Sequence, residues 1–369
     1  MANDFRRLRG HKDTATCCVA SRDKPGLVLT AAEDGCVCLF DMRCKDVLHT
    51  MEVGDNPVSS VCFKPGNEDI VYIGTGMEIK CFDINMLTSW KPLKTFTYNK
   101  EEINQITCNN KASYLAATDD GGEIKVVDLR QNSIYKTLRN VHTSICSTVQ
   151  FVPWRTYEVI TGGLDSKLVL WDFSKGRPLK IVDYGTSQVG NSNPPGQCLN
   201  PPFVHAVAVP AIDMLDKAGK ICVVARGDGV VDVIDIDTEP ASAKSKTSSK
   251  SVNKSQVKSK GNIGSSNAND SWSKMNVHLD HAVGGHSAAV SCVAISQFGE
   301  KGKFIISGGN DRSIKIWDVD CIKTSSSSGI VHQNIDLTKK VNWLCTTPCD
   351  SENLVVCDTS KVVKVYTIL

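Results

Sequence analysis

The sequence lacks most of the signals that mark a chain as an enzyme, a membrane protein or a nucleic-acid binder. It holds no G-x-x-x-x-G-K-[ST] phosphate loop, no G-x-G-x-x-G opening a helix, no H-E-x-x-H and no G-x-S-x-G elbow, so no catalytic residue is assigned. No run approaches eighteen apolar residues, and the start, Met1 to Arg9, has no apolar signal core. A soluble, non-secreted, intracellular protein, cytoplasmic or nuclear, without a membrane partner is therefore expected. Charge of one sign is also missing: 42 Lys plus Arg against 40 Asp plus Glu leave a net charge of +2, which gives no electrostatic case for nucleic acid. Sixteen cysteines are present, yet no C-x-x-C pair occurs, and Cys345 to Cys349 is a lone C-x₃-C. Most of the others sit singly in strand-like runs. Free buried thiols in a reducing compartment are expected, with no metal and no cofactor.

What the chain does have is a repeat. Short strand-like runs end in Phe40-Asp41, Phe82-Asp83, Val127-Asp128, Trp171-Asp172, Ile234-Asp235, Trp317-Asp318 and a degenerate Tyr366-Thr367. The first four are spaced 42, 45 and 44 residues apart, the period of a four-stranded blade, and the later gaps of 63, 83 and 49 contain insertions. The segment Ser307 to Asp318 reads as a strand end, a tight Gly-Gly-Asn-Asp turn, and an alternating strand with Ile314 and Ile316 on one face. Thr161 to Trp171 repeats it, and Thr30, Asp34 and Phe40 keep the same offsets.

On these motifs the chain resembles the WD-repeat family over essentially its whole length. The resemblance implies an all-β fold, a single seven-bladed WD-repeat β-propeller spanning 1–369. It also implies a relay in which a loop His, a Ser or Thr, a turn Asp and the Trp satisfy one another. Carried over residue by residue, the relays are His142, Thr161, Asp165 and Trp171 in one blade, and His286, Ser307, Asp311 and Trp317 in another. They are expected to be structural and not a hydrolase triad, because their spacing recurs with the blades. Elsewhere the relay is incomplete: Phe40 replaces Trp after His11, Ile234 does so after His205 and Asp228, and Gly76 stands where an Asp would sit. Such blades are expected to rely more on apolar packing.

The last run ends three residues before Leu369, so its blade has no outer strand of its own, and residues Asp4 to Leu8 are expected to pair into it and close the ring. Two insertions break the period. The Pro/Gly/Asn-rich stretch 184–203 is expected on the face of the His-bearing loops. The Ser/Lys-rich stretch 238–274, with six lysines and no acid between 241 and 260, is expected to be disordered and to hang from the opposite face. It reads as a solvated tether, a localisation signal or a weak nucleic-acid contact, its dispersed lysines lacking the aromatic partners of a stacking surface.

Glu101 to Asn104, His142 to Ser147, Pro195 to Pro201 and Lys340 to Leu344 further resemble one subgroup of the family. The resemblance implies a non-enzymatic protein-interaction platform, and for many members a substrate receptor docked on the adaptor subunit of a cullin-RING ubiquitin ligase through a repeat ending in Asp-x-Arg. Two copies match: Asp41-Met42-Arg43 and Asp128-Leu129-Arg130. Arg43 and Arg130, with Asp41 and Asp128, are thus the candidate adaptor contacts, and a client protein would use the other face. The alternative is a general scaffold, or a peptide or chromatin reader, using the central propeller surface.

Overall fold

The structure, a computed structural model, describes residues 5–44, 46–86, 91–186, 199–237, 276–324 and 329–368. Seven antiparallel four-stranded sheets account for nearly all of its regular structure. Their innermost strands are Ala15–Ala20, Val58–Phe63, Ile103–Cys108, Cys146–Phe151, Val204–Ala208, Val290–Ile295 and Val341–Thr346. Each packs against the innermost strands of both neighbours, the last against the first included, so the sheets form a ring. All seven runs recognised in the sequence are the third strands, from Cys36–Asp41 to Val363–Tyr366.

Burial peaks in the middle strands of each sheet and falls off at the outer strands, and the residue pattern follows it. The second strands, such as Leu27–Ala32 and Glu158–Gly163, are buried in five of six positions, because sheets flank them on both sides. The outer strands Val47–Glu52 and Val331–Asp336 alternate between covered and open positions, as half-buried strands do. Between sheets lie apolar seams. The fully covered Trp171 and Trp317 fill two of them, and each large apolar side chain so removed from water contributes roughly 1.5–3 kcal/mol.

The turn between second and third strands needs a left-handed residue. Gly35 supplies it at φ 71°, where a Cβ would fall 2.0 Å from the Gly54 carbonyl oxygen. Ser166 at φ 62° and Arg312 at φ 63° hold the same position in the relay blades, a conformation that costs a non-glycine residue something and persists where surrounding contacts fix it.

Every innermost strand carries one bulge after its first residue. The bulged residues are Thr16, Ser59, Asn104, Ser147, His205, Ser291 and Asn342. Five reach across to the first backbone carbonyl of the next innermost strand: Thr16 to Val58 at 2.6 Å, Asn104 to Cys146 at 3.3 Å, Ser147 to Val204 at 2.5 Å, Ser291 to Val341 at 2.6 Å, and Asn342 to Ala15 at 3.0 Å. A bulge displaces one residue from the ladder and re-aims its side chain, and here the same displacement is used to stitch sheet to sheet. The sequence reading missed this ring.

The last sheet is built from both ends of the described chain. Arg6–Leu8 pairs antiparallel with Val363–Tyr366, with Arg6 opposite Val365 and Leu8 opposite Val363. Leu8, Val363 and Val365 then pack with Val28 and Phe40 of the first sheet. Arg6 donates to the Met42 carbonyl at 2.5 Å and pairs with Glu352 at 2.9 Å, tying the first sheet to the last. The outer strand of the fifth sheet, Asn276–Leu279, stops where Asp280 caps a short 3₁₀ turn, His281–Val283. Of the insertion expected over 184–203, residues 187–198 lie outside the described residues, as does all of 238–274. Deleting Val363 to Leu369 should lower the melting temperature of the whole protein, because Arg6–Leu8 loses its partner and the seam to the first sheet opens. Circular dichroism melts check this; a melting temperature within about 2 °C of the full chain would contradict it.

Candidate functional site

The loops alternate between two faces. Those preceding the innermost strands and those joining second to third strands lie on one face; the remaining turns, including the ends of the third strands, lie on the other. The expected relay residues gather on the first face. His142 Nε2 meets Thr161 Oγ1 at 2.8 Å, its Nδ1 meets Asp165 at 3.0 Å, and the Trp171 indole donates to the same Thr161 oxygen at 2.8 Å. His286 meets Ser307 at 2.8 Å and Asp311 at 3.0 Å, with Trp317 donating to Ser307 at 2.9 Å. Both Asp residues also accept backbone N–H groups of the His loop, from Thr143 and Ser287. Burial opposes the charge on Asp311, but the contacts with His286, Ser313 and the Ser287 N–H outweigh it and hold the carboxyl at about 2. With both ring nitrogens engaged and the imidazoles fully covered, neither His is placed to serve a substrate.

The first blade keeps more of the relay than the loss of Trp suggests. His11 meets Thr30 at 2.7 Å and Asp34 at 3.5 Å, and burial lowers the imidazole's pKa. The reading of His205 with Asp228 fails. The relay His stands four residues before an innermost strand, and His205 lies inside one, at the bulge. That blade does pack apolar side chains, with Ile234 among Val204, Val207, Cys222 and Val224, and it adds a charged network. Arg226, at the second-strand end where the relay blades have Gly163 and Gly309, pairs with Asp228 and, at 2.9 Å, with Asp232. Asp232 also meets His278 at 2.5 Å, and the Arg226 guanidinium lies 4.5 Å over the Tyr184 ring. In the last blade Asp358 and Lys364 occupy the matching second-strand and third-strand positions with the charges reversed, 2.5 Å apart. In the third blade Asn99, four residues before its innermost strand, donates to Asp119 at 2.9 Å. The count of four to the start of the innermost strand was the signal available in the sequence for Asn99; no comparable signal marked Arg226.

On the second face the two Asp-x-Arg copies behave differently. Asp41 accepts Arg43 Nε at 2.9 Å and Nη2 at 2.5 Å, so this guanidinium is turned back on its own turn. That hydrogen bond holds the Asp41 carboxyl below its usual range. Asp128 accepts the backbone N–H groups of Arg130 at 2.8 Å and Gln131 at 3.0 Å, fixing the turn, while the exposed Arg130 guanidinium makes no ion pair among the described residues. The copies stand on the first and third blades with the second blade between them, and the structure does not bring them together into a single cluster.

The described residues contain no cluster of three or more His, Cys, Asp or Glu side chains arranged to hold a metal, and no helix among them is long and apolar enough to cross a membrane. Replacing Arg226 with Met would leave Asp232 and Asp228, which are 1% and 4% exposed, without their cation. Removing one partner of a buried pair costs about 3–5 kcal/mol, and Arg226→Met should lose about that much in denaturant unfolding; a loss below about 1 kcal/mol would contradict the network's role.

The model of the family "WD domain, G-beta repeat" matches residues 3–41 and 278–318. The subgroup resembled by the segments from Glu101 to Leu344 is WD repeat-containing protein 53, and the chain is 25% identical over 390 residues to the "WD repeat-containing protein 53 homolog" of Dictyostelium discoideum, covering 98% of this chain and 94% of that one. "THO complex subunit 3" of Arabidopsis thaliana is 26% identical over 167 residues, 45% of this chain and 51% of its own. Among solved structures, the WD40 β-propeller domain of Doa1 superposes with a TM-score of 0.67 at 16% identity, covering 100% of this chain and 98% of that one, a likeness of fold alone. The fold is that of the WD-repeat β-propellers, and the chain is similar to that family in its repeat motifs and, at full length, to one of its members.

Proposed function

We propose that this chain is a substrate receptor or comparable adaptor of a cullin-RING ubiquitin ligase, docking the ligase's adaptor subunit through the face that carries the third-strand ends. WD-repeat propellers generally mediate protein interactions and scaffolding and are typically non-enzymatic, which supports the coarser half of this reading. The observation that carries the finer half is Arg130. Its backbone is held by Asp128 while its guanidinium stays open, and a planar fork with unspent donors suits a partner's carboxylate or carbonyl groups. Arg43 is the weaker contact, since a partner must first displace Asp41.

A second reading, a scaffold that takes an extended segment on the face of the His-bearing loops, draws support from a cleft of about 470 Å³ there. Glu33, Asp34, Glu52 and Asp55 line it with only Lys12 opposing, which suits a basic segment. Affinity purification from cells separates the two. Arg130→Ala should weaken recovery of the ligase adaptor several-fold without changing the melting temperature, and Arg130→Ala with Arg43→Ala should weaken it further. Unchanged recovery by the double variant would reject the ligase reading.

A further inference from the structure

On the same face as Arg130, at the seam between the third and fourth blades, aromatic side chains collect. Phe173, fully buried just past the Trp171 strand, is ringed by Tyr114 at 5.3 Å, Tyr157 at 5.7 Å and Tyr135 at 6.0 Å between ring centroids, and Tyr114 and Tyr135 lie 4.9 Å apart. Chain topology explains the gathering. Tyr114 opens a second strand, Tyr157 sits in the turn before another, and Tyr135 is the bulged residue of an outer strand, so all three emerge at one end of their sheets. Tyr135 is 36% and Tyr157 45% exposed, which is a large apolar area left in water beside an otherwise closed seam. Asn110 ties the two blades below it, donating to the Pro153 carbonyl at 3.1 Å.

The rim of this cluster is cationic. Asp128 stands opposite Tyr114 in the ladder, which places Arg130 two residues away at the edge. Lys136 follows Tyr135 and lies against Gly176 of the neighbouring blade, while Lys111 occupies the turn before Tyr114. None of Lys111, Arg130 and Lys136 forms an ion pair among the described residues. The carboxylates nearby are already used: Asp128 by backbone N–H groups, Asp172 by Ser174 and Lys175, and Glu158 by Arg155. Tyrosine and arginine in a rigid, partly covered patch are the composition of interaction hot spots, and unpaired cations around them select the partner's charge.

We propose that this seam is a docking site for an acidic peptide segment of a protein partner, with Tyr135 and Tyr157 as apolar anchors and Lys111, Arg130 and Lys136 as the charge-reading rim. A peptide is favoured over nucleic acid because the rings meet one another edge to face or tilted, at 55–82°, leaving no stack of open parallel faces for bases. The site shares Arg130 with the ligase reading and rests on this face being an interaction face, but not on the partner's being a ligase subunit.

The test pans a phage-displayed random peptide library on the immobilised full-length chain and measures the enriched peptides, fluorescein-labelled, by anisotropy. Enriched sequences should be rich in Asp and Glu, and Tyr135→Ala with Tyr157→Ala should weaken them at least about tenfold. Lys111→Glu with Lys136→Glu, which leaves the aromatic packing in place, should weaken them similarly, and Arg43→Ala should not. No enrichment over blank support, enriched sequences without acidic residues, or affinities unmoved by both double variants would overturn the site, as would tighter binding of a single-stranded oligothymidylate to the same residues. Loss of peptide binding by these variants with ligase recovery absent throughout would sink the ligase reading and leave this one standing.

Discussion

The fold depends on making sheets that share no backbone ladder hold one another at the axis. Innermost strands crowd there, and their outer ladder partners cannot help, since each sheet's hydrogen bonds run radially within the sheet. One bulge per innermost strand turns a single side chain sideways, and Thr16, Asn104, Ser147, Ser291 and Asn342 spend it on the neighbour's carbonyl. An orphaned backbone carbonyl at a crowded axis would be costly, so the stitch removes a penalty as well as adding a contact. Asn342 is the stitch that joins the last sheet to the first, and the shared sheet of Arg6–Leu8 and Val363–Tyr366 does the same at the rim.

Beyond the axis, each blade must also fix the turn between its second and third strands. Three blades do so with a His loop and a turn Asp. Where the chain puts something larger than Ala or Gly at the second-strand end, other chemistry takes over: Asn99 with Asp119, Arg226 with Asp228 and Asp232, and Asp358 with Lys364. The substitution has a steric logic. A Cβ at Gly163 or Gly309 would fall 2.9 Å or 2.7 Å from the relay imidazole, so a blade can hold either the His or a long charged side chain there, but not both without rearrangement.

This explains what the sequence revealed and what it hid. The third-strand ends and the two complete relays were legible because their residues are rare types at fixed offsets: Trp followed by Asp, a turn Asp, and His. Arg226 and Asp358 were hidden because they belong to a second solution to the same problem, with partners that look like ordinary surface charges until the strands pair. His205 was misread because a histidine near the start of an innermost strand satisfied the eye, although the relay needs it four residues earlier. The stitching ring was missed for the opposite reason: Thr, Ser and Asn are common, and only the register shift shows that they share one position. The face of each Arg of the Asp-x-Arg copies followed from strand order alone, but the pairing of Arg43 with Asp41 and the openness of Arg130 needed side chains in place.

The sheets form one cooperative ring in which the first and last described strands are as firmly held as any other. Native-state hydrogen exchange read by mass spectrometry tests it most directly. Amides of Arg6–Leu8 and Val363–Tyr366 should open with nearly the same free energy as those of Phe304–Gly309, because the shared sheet cannot part without the seams beside it. Exchange of these two strands at loop-like rates, with Phe304–Gly309 still protected, would contradict it.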